Sequence, residues 1–126
     1  MIHLDTNVLI GLAEADTPIV RAIGRWLDDN EKLAVSSIAW FEFSCGPLEP
    51  EAIELIEQVI AGRVVVFSAA HAQRAGDLFN SAGRKRASRW DCMIAAAAIE
   101  SRARLATQNA ADFARFKSYG LELAAI

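Results

Sequence analysis

Apolar and polar residues alternate along this chain with two periods, and the switches between them mark its elements. "IHLD" is a short first strand, and "TNVLIGLAEA" continues with helical spacing through Val8, Leu9 and Leu12, so the chain turns from strand to helix at Asp5. "TPIVRAIGRWLDDN" predicts a second helix, with Pro18 in the first turn, where its missing N–H costs nothing. "KLAVS" is a strand. "SSIAWFEFSCG" is a helix that opens on serines suited to a cap and stops at Gly46-Pro47. "PEAIELIEQVIAG" is amphipathic, with Ile53, Ile56, Val59 and Ile60 on one face and Glu51, Glu54 and Glu57 on a solvated one. The β-branched run "RVVVF" reads as a buried parallel strand. Beyond it come a helix in "SAAHAQRAGDLFNSAG", a polar link "RKRAS", a long helix in "RWDCMIAAAAIESRA", a strand in "RLATQ", a short helix in "NAADFARFKSYG" and a last extended segment in "LELAAI".

Strands that alternate with helices imply right-handed crossovers and a mostly parallel sheet covered on both faces. No repeat, linker or low-complexity stretch divides the chain, so residues 1–126 are read as one domain with one site. Ligands of such sheets bind beyond the carboxyl ends of the strands, which is where Asp5 falls.

Composition narrows the classes. Hydrophobic residues make up 53% of the chain and charged residues 23%. No apolar run approaches the roughly 18 to 20 residues needed to span a bilayer. "MIHLDTN" lacks the basic, apolar and small-residue zones of a signal peptide, which predicts a cytoplasmic protein. Cys45 and Cys92 stand far apart, in no CxxC and with no histidine nearby, which suggests reduced structural thiols rather than a zinc or redox site. The net charge of −3 argues against a surface that binds nucleic acid all over. Four of the 13 cations nevertheless gather in "RKRASR", as Arg84, Lys85, Arg86 and Arg89.

Three of the 16 acidic residues lack both a solvated context and a cation one helical turn away. Asp5 lies in an apolar run, where its plainer role is to cap the next helix. Glu42 belongs to a helix apolar on nearly every side, with Ile38, Ala39, Cys45 and Gly46 one turn away. Such a helix reads as buried. A carboxylate unpaired there costs several kcal/mol or takes up a proton, and a metal or a distant cation is the remedy. Asp91 stands near a helix start, where the macrodipole favours anions, on a face with Ala95 and Ala98 that admits close packing. Asp112 is a weaker candidate, because Arg115 three residues on is placed to pair with it. Thr107 and Asn109, just after the "RLAT" strand, are placed to bind water or a phosphate oxygen.

Clustered hard oxygen ligands without His or Cys suit Mg²⁺ or Mn²⁺, which keep several waters and activate one of them against a phosphodiester. Nucleophilic alternatives fare badly. His3 shares a strand face with Asp5 as a supporting or core group, His71 reads as surface, and no GxSxG, Cys–His pairing, P-loop or GxGxxG is present. "RKRASR" runs directly into Asp91, so it is placed to hold a nucleic-acid backbone across a metal site. Trp26, Trp40 and Phe41 read as core aromatics that are also candidates for partner surfaces.

In their order and spacing, "LDTNVLI", the glutamate of "SIAWFEFSCG", "DCMIAAAAI" and "LATQNAADF" resemble PIN-domain ribonucleases, and most of all the VapC-type toxins of bacterial toxin–antitoxin pairs. The resemblance spans nearly the whole chain. It implies a three-layer α/β/α fold, an acidic pocket that binds Mg²⁺ or Mn²⁺, and hydrolysis of RNA. By that likeness Asp5 and Asp91 are principal metal ligands, while Glu42 binds metal directly or through water, or orients the attacking water. The fourth position, often acidic in this family, matches Asn109, with Asp112 three residues later as the nearby carboxylate. Thr6 and Asn7 would hold Asp5 in place. Pairing as a homodimer and silencing by a small antitoxin whose tail enters the groove are further expectations of the likeness.

Three other readings compete. A haloacid-dehalogenase-like phosphohydrolase wants a second Asp where Asn7 stands. A receiver-like domain wants an acidic pair beside its Asp and a Lys placed unlike Lys117. A PIN-fold protein that binds RNA or a partner without cutting it would keep the fold and lose the chemistry.

Overall fold

A computed structural model describes residues 1–47 and 49–126. Five parallel strands, β1 (Ile2–Leu4), β2 (Leu33–Ser36), β3 (Val64–Val65), β4 (Arg104–Ala106) and β5 (Glu122–Leu123), lie in the order β3-β2-β1-β4-β5. From β1 the chain steps outward to β2 and β3, then returns to the far side of β1 for β4 and β5. With right-handed crossovers, these two directions of travel put helices on both faces and leave a switch point between β1 and β4. This is the three-layer α/β/α arrangement expected, with a sheet that is wholly parallel.

The connections are α1 (Thr6–Gly11) and α2 (Pro18–Asp28) between β1 and β2, and α3 (Ser37–Ser44) and α4 (Pro50–Ile60) between β2 and β3. Next come α5 (Ala69–Ser81), a 3₁₀ turn over Arg86–Ser88 and α6 (Arg89–Glu100), all before β4. After β4 follow α7 (Ala110–Phe113) and a 3₁₀ segment, Ala114–Tyr119. Local chemistry explains the starts. Thr17 Oγ1 accepts from Val20 N at 3.2 Å with Pro18 behind it, Ser36 Oγ from Ala39 N at 3.1 Å, and Ser68 Oγ from His71 N at 3.2 Å. The first helix is shorter than its apolar spacing predicts, ending at Gly11, where α2 crosses so closely that a Cβ would lie 2.4 Å from Ile19 Cδ1.

Ile2, Leu4, Leu33, Val35 and Leu105 form the sheet's share of the core, closed by Ile56 and Ile60 of α4, Leu78 of α5 and Phe113 and Phe116 after β4. The small stretch Ala95–Ala98 of α6 is fully buried, because methyl side chains let a helix lie close against its neighbours.

Two expectations need correction. The run at Val64 to Val66 forms the parallel strand expected, but not a buried one. It pairs over two residues at the sheet edge, and Val66 is 74% exposed, because β-branching favours extended backbone whether or not both faces are covered. His71, read as surface, is buried, with its ring edge-on to Phe67 at 5.7 Å. It comes close enough to the buried His3 that burial, helped by the charge of His71, lowers the His3 pKa from 6.5 to about 4. His3 is therefore a neutral core group. Among the described residues, no helix is long and apolar enough to cross a membrane.

Candidate active site

The carboxyl end of β1 carries the first acid. Asp5 is 5% exposed, and its backbone amide extends the ladder to Ala106 O at 2.9 Å. Its carboxylate accepts from Thr6 N at 2.8 Å, from Asn7 Nδ2 at 3.2 Å and from Thr107 Oγ1 at 2.7 Å. Asp5 thus starts α1 and also faces across the switch point to the end of β4. Burial raises its pKa, and the bonds from Thr107, Thr6 and Asn7 pull the other way.

Thr107 holds this arrangement together, since its hydroxyl also accepts from Asn109 N at 3.0 Å and Asn7 Nδ2 at 3.4 Å. Gln108, which sequence patterning did not single out, fastens the β4 loop to α1, donating its amide N–H to Asn7 Oδ1 and its Nε2 to Asn7 O, both at 3.0 Å. Its sequence position alone gives no sign of that long-range contact.

Glu42, in the second turn of α3, is half-buried, and Thr6 Oγ1 donates to its Oε1 at 3.0 Å. Thr6 therefore bridges two acids, by its amide to Asp5 and its hydroxyl to Glu42. Burial raises the Glu42 pKa, Thr6 lowers it and Asp5 raises it further. The helix around Glu42 is not buried on all sides: Ala39 and Phe43 face inward, while Phe41 is 54% exposed and stacks on Trp90 of α6 at 5.8 Å. Trp26 is in the core and Trp40 is half-buried, so Phe41 is the aromatic residue whose core reading fails.

Asp91 enters from the first turn of α6. Burial and the neighbouring Asp5 push its pKa from 3.8 to about 6, against the pull of Arg115; Asp112 and Glu42 raise it further. Asp91 thus feels the charge of Asp5, Asp112 and Glu42, and Glu42 that of Asp5. A cavity of about 210 Å³ beside Asp91 is lined by Lys85, Ser88, Asp112 and Arg115 among others. Arg115 pairs with Asp91 at 3.8 Å, and no ion pair to Asp112 is found among the described residues, so the pairing expected three residues apart is replaced by one across the fold. Asn109 joins the network through its backbone amide, and its side chain is outside that cavity's lining.

The basic segment leads into α6 through its 3₁₀ turn, as its sequence position requires. Lys85 reaches the Asp91 cavity. Arg84 turns away to Asn80 Oδ1 and the Phe79 ring, and Arg89 Nε donates to Arg86 O at 3.2 Å.

The donor set is hard and anionic, and no Cys or His stands in it, which fits Mg²⁺ or Mn²⁺. Burial of the three carboxyls, with the charge of Asp5 acting on Glu42 and Asp91, is what a divalent cation relieves. Among the described residues no three His, Cys, Asp or Glu side chains close tightly enough to cage an ion unaided.

A doubly wound α/β fold with acids near its β1/β4 switch point puts them where the ligands of such sheets bind. The family model of the PIN domain matches residues 2–118, and the chain belongs to that family. Among solved structures, it is similar to DNA-bound VapBC from Salmonella typhimurium (25% identity, TM-score 0.75, covering 98% of this chain and 96% of that one). A toxin–antitoxin complex from Klebsiella pneumoniae gives 26% identity and a TM-score of 0.72 over 90% and 91% of the two chains. FitAcB from Neisseria gonorrhoeae gives 22% and 0.72 over 99% and 97%. No curated protein matches the chain.

Proposed function

We propose that this chain is a Mg²⁺- or Mn²⁺-dependent endoribonuclease and the toxin of a toxin–antitoxin pair. The observation that carries the reading is the meeting of Asp5, Glu42 and Asp91 over the β1/β4 switch point, with neutral hydroxyl and amide donors as the partners of Asp5 and Glu42. Membership of the PIN-domain family, whose members are generally nucleases, and the likeness to toxin–antitoxin complexes support it.

Asp5 and Asp91 would hold the ion, with Glu42 beside them and Asp112 as a fourth carboxylate. The ion would supply an activated water and neutralise charge building on the phosphodiester. Thr6, Asn7 and Thr107 fix the Asp5 oxygens and oppose the upward pull of burial on its pKa, while Asn109 anchors the Thr107 hydroxyl. Glu42, held by Thr6, is positioned to orient the water and take its proton. Lys85 would meet the RNA backbone at the site, with Arg86 and Arg89 on the approach and Arg84, turned to Asn80 and Phe79, farther out.

For partners, an apolar groove between α1, α3 and α4, lined by Ile10, Phe43 and Ala52, runs up to Glu42 and supports the docking of an antitoxin segment. The exposed Phe41–Trp90 pair supports self-association as a homodimer. A labelled single-stranded RNA incubated with Mg²⁺, with Mn²⁺ and with EDTA tests the enzyme reading. Cutting that needs metal and disappears in Asp5→Asn and Asp91→Asn is expected. Binding of RNA with no cutting under any of these conditions would favour the non-cleaving alternative.

A further inference from the structure

The cation that faces Asp91 comes from the last third of the fold and is held in an unusual way. Arg115 Nη2 stands 3.8 Å from Asp91 Oδ2, an electrostatic contact too long for a hydrogen bond. Structural Arg–carboxylate pairs close to roughly 2.7–2.9 Å and are often two-pronged. Arg115 Nε is buried and has no hydrogen-bond partner among the described residues. The guanidinium is nevertheless fixed, lying 4.8 Å over the ring of Phe116, which is fully buried. With Nε buried and the plane held by stacking, the partly exposed guanidinium presents its Nη donors to the cavity beside Asp91, set up for an acceptor that arrives with a ligand.

The surroundings say which acceptor. Arg115 opens onto the cavity of about 210 Å³ that it shares with Lys85, Ser88 and Asp91. Lys85 belongs to the basic segment that leads to the site, so the two cations flank the acid from different elements, one before α6 and one after α7. A diester phosphate offers two anionic oxygens at the spacing a guanidinium fork matches.

We infer that Arg115 binds a non-bridging phosphate oxygen of the RNA strand beside Asp91, next to the bond to be cut. The inference rests on the ribonuclease reading for its substrate, yet its test is separable. Arg115 gives up its loose contact with Asp91 as the site fills, and its charge moves onto the phosphate where negative charge develops.

The test uses the full chain with Arg115→Ala and Arg115→Lys. Binding of a fluorescein-labelled single-stranded RNA is followed by anisotropy over a salt series, in EDTA and in an Asp5→Asn background. Loss of one phosphate contact is expected to reduce the slope of log K against log salt by about 0.7 in Arg115→Ala, with Arg115→Lys keeping the slope. With Asp5 intact and Mg²⁺ present, kcat/KM is expected to fall about a hundredfold in Arg115→Ala and to recover only partly in Arg115→Lys, which lacks the fork. An unchanged slope together with tighter Mn²⁺ binding by calorimetry would make Arg115 a mere counter-charge of Asp91 and overturn the inference. Equal kcat/KM for wild type and both variants overturns it too. If Arg115→Ala does not fold, Arg115→Lys decides: wild-type kcat/KM counts against the fork, a reduced value for it. An Arg115-dependent slope in a wild-type protein that cuts nothing would sink the nuclease reading while leaving this contact in place.

Discussion

Asp91→Asn should make the metal-free protein more stable at pH 7 to 8, although it removes a residue the site needs. The carboxyl of Asp91 has its pKa raised from 3.8 to about 6, first by burial and then by Asp5. An acid whose folded pKa is raised binds its proton more tightly in the native state. Its stabilising contribution is therefore complete below about 3.8 and is lost as pH rises through about 6. A displacement of that size corresponds to about 3 kcal/mol at full strength. The side chain is 32% exposed, so solvent screening brings the realistic figure to about 1–2 kcal/mol. Asparagine keeps the shape and carries no charge, so it removes the penalty at neutral pH and gains nothing in acid. Urea unfolding in EDTA, run at steps from pH 4.5 to 8, measures this. Wild type should lose stability as pH rises from 4.5 toward about 6 and level off above it, whereas Asp91→Asn should keep a flatter profile and finish higher at pH 8. A variant less stable than wild type at pH 8, or one with the same pH slope, would refute the reasoning.

Other expectations follow from single contacts. Thr107→Val removes a 2.7 Å hydrogen bond to the Asp5 carboxyl and orphans the Asn109 amide, so it should cost about 1–3 kcal/mol in denaturant unfolding at pH 7. It should also move the Asp5 pKa further up, which carboxyl NMR titration would follow. Gly11→Ala gains up to about 1 kcal/mol of helix propensity but meets Ile19 Cδ1 at 2.4 Å; overpacking of about 1–3 kcal/mol should win, and Ile19→Val in the same chain should restore most of the loss. Leu105→Ala, in the buried strand beside β1, should cost about 2–5 kcal/mol, whereas Val66→Ala at the exposed sheet edge should stay within about 0.5 kcal/mol. Equal losses at the two positions would contradict the exposure of Val66 just past β3.

The residues whose roles show in the chain are those whose signal is local. Asp5 interrupts an apolar run, and its neighbours Thr6 and Asn7 turn out to be its own donors. α2 and α4 follow their apolar spacing closely, since Pro18 and Pro50 fix where each begins. What pattern alone misses is long-range or depends on which face is covered. Arg115 meets Asp91 because the chain after β4 folds back past the start of α6, and nothing within one helical turn of either residue signals it. Thr6 Oγ1 turns to Glu42, 36 residues away, rather than to Asp5. His71 sits in an amphipathic helix at a position where either face is open to a histidine, and the packing of α5 beside His3 draws it inward. Phe41 is apolar yet exposed because its partner is another exposed ring.

On the function proposed above, carboxylates would act through a bound divalent ion to direct water onto an RNA phosphodiester. The alternative nuclease chemistry uses the RNA's own 2′-hydroxyl and leaves a 2′,3′-cyclic phosphate. Both histidines of this chain are buried, away from any base role. Mass spectrometry of the products from one cleaved RNA, compared with the same RNA carrying a 2′-deoxy nucleotide at the cut position, separates the two. The account predicts no cyclic phosphate, undiminished cutting of the deoxy-substituted strand, and loss of all products in EDTA. A cyclic phosphate end, with the deoxy-substituted strand left whole, would contradict it.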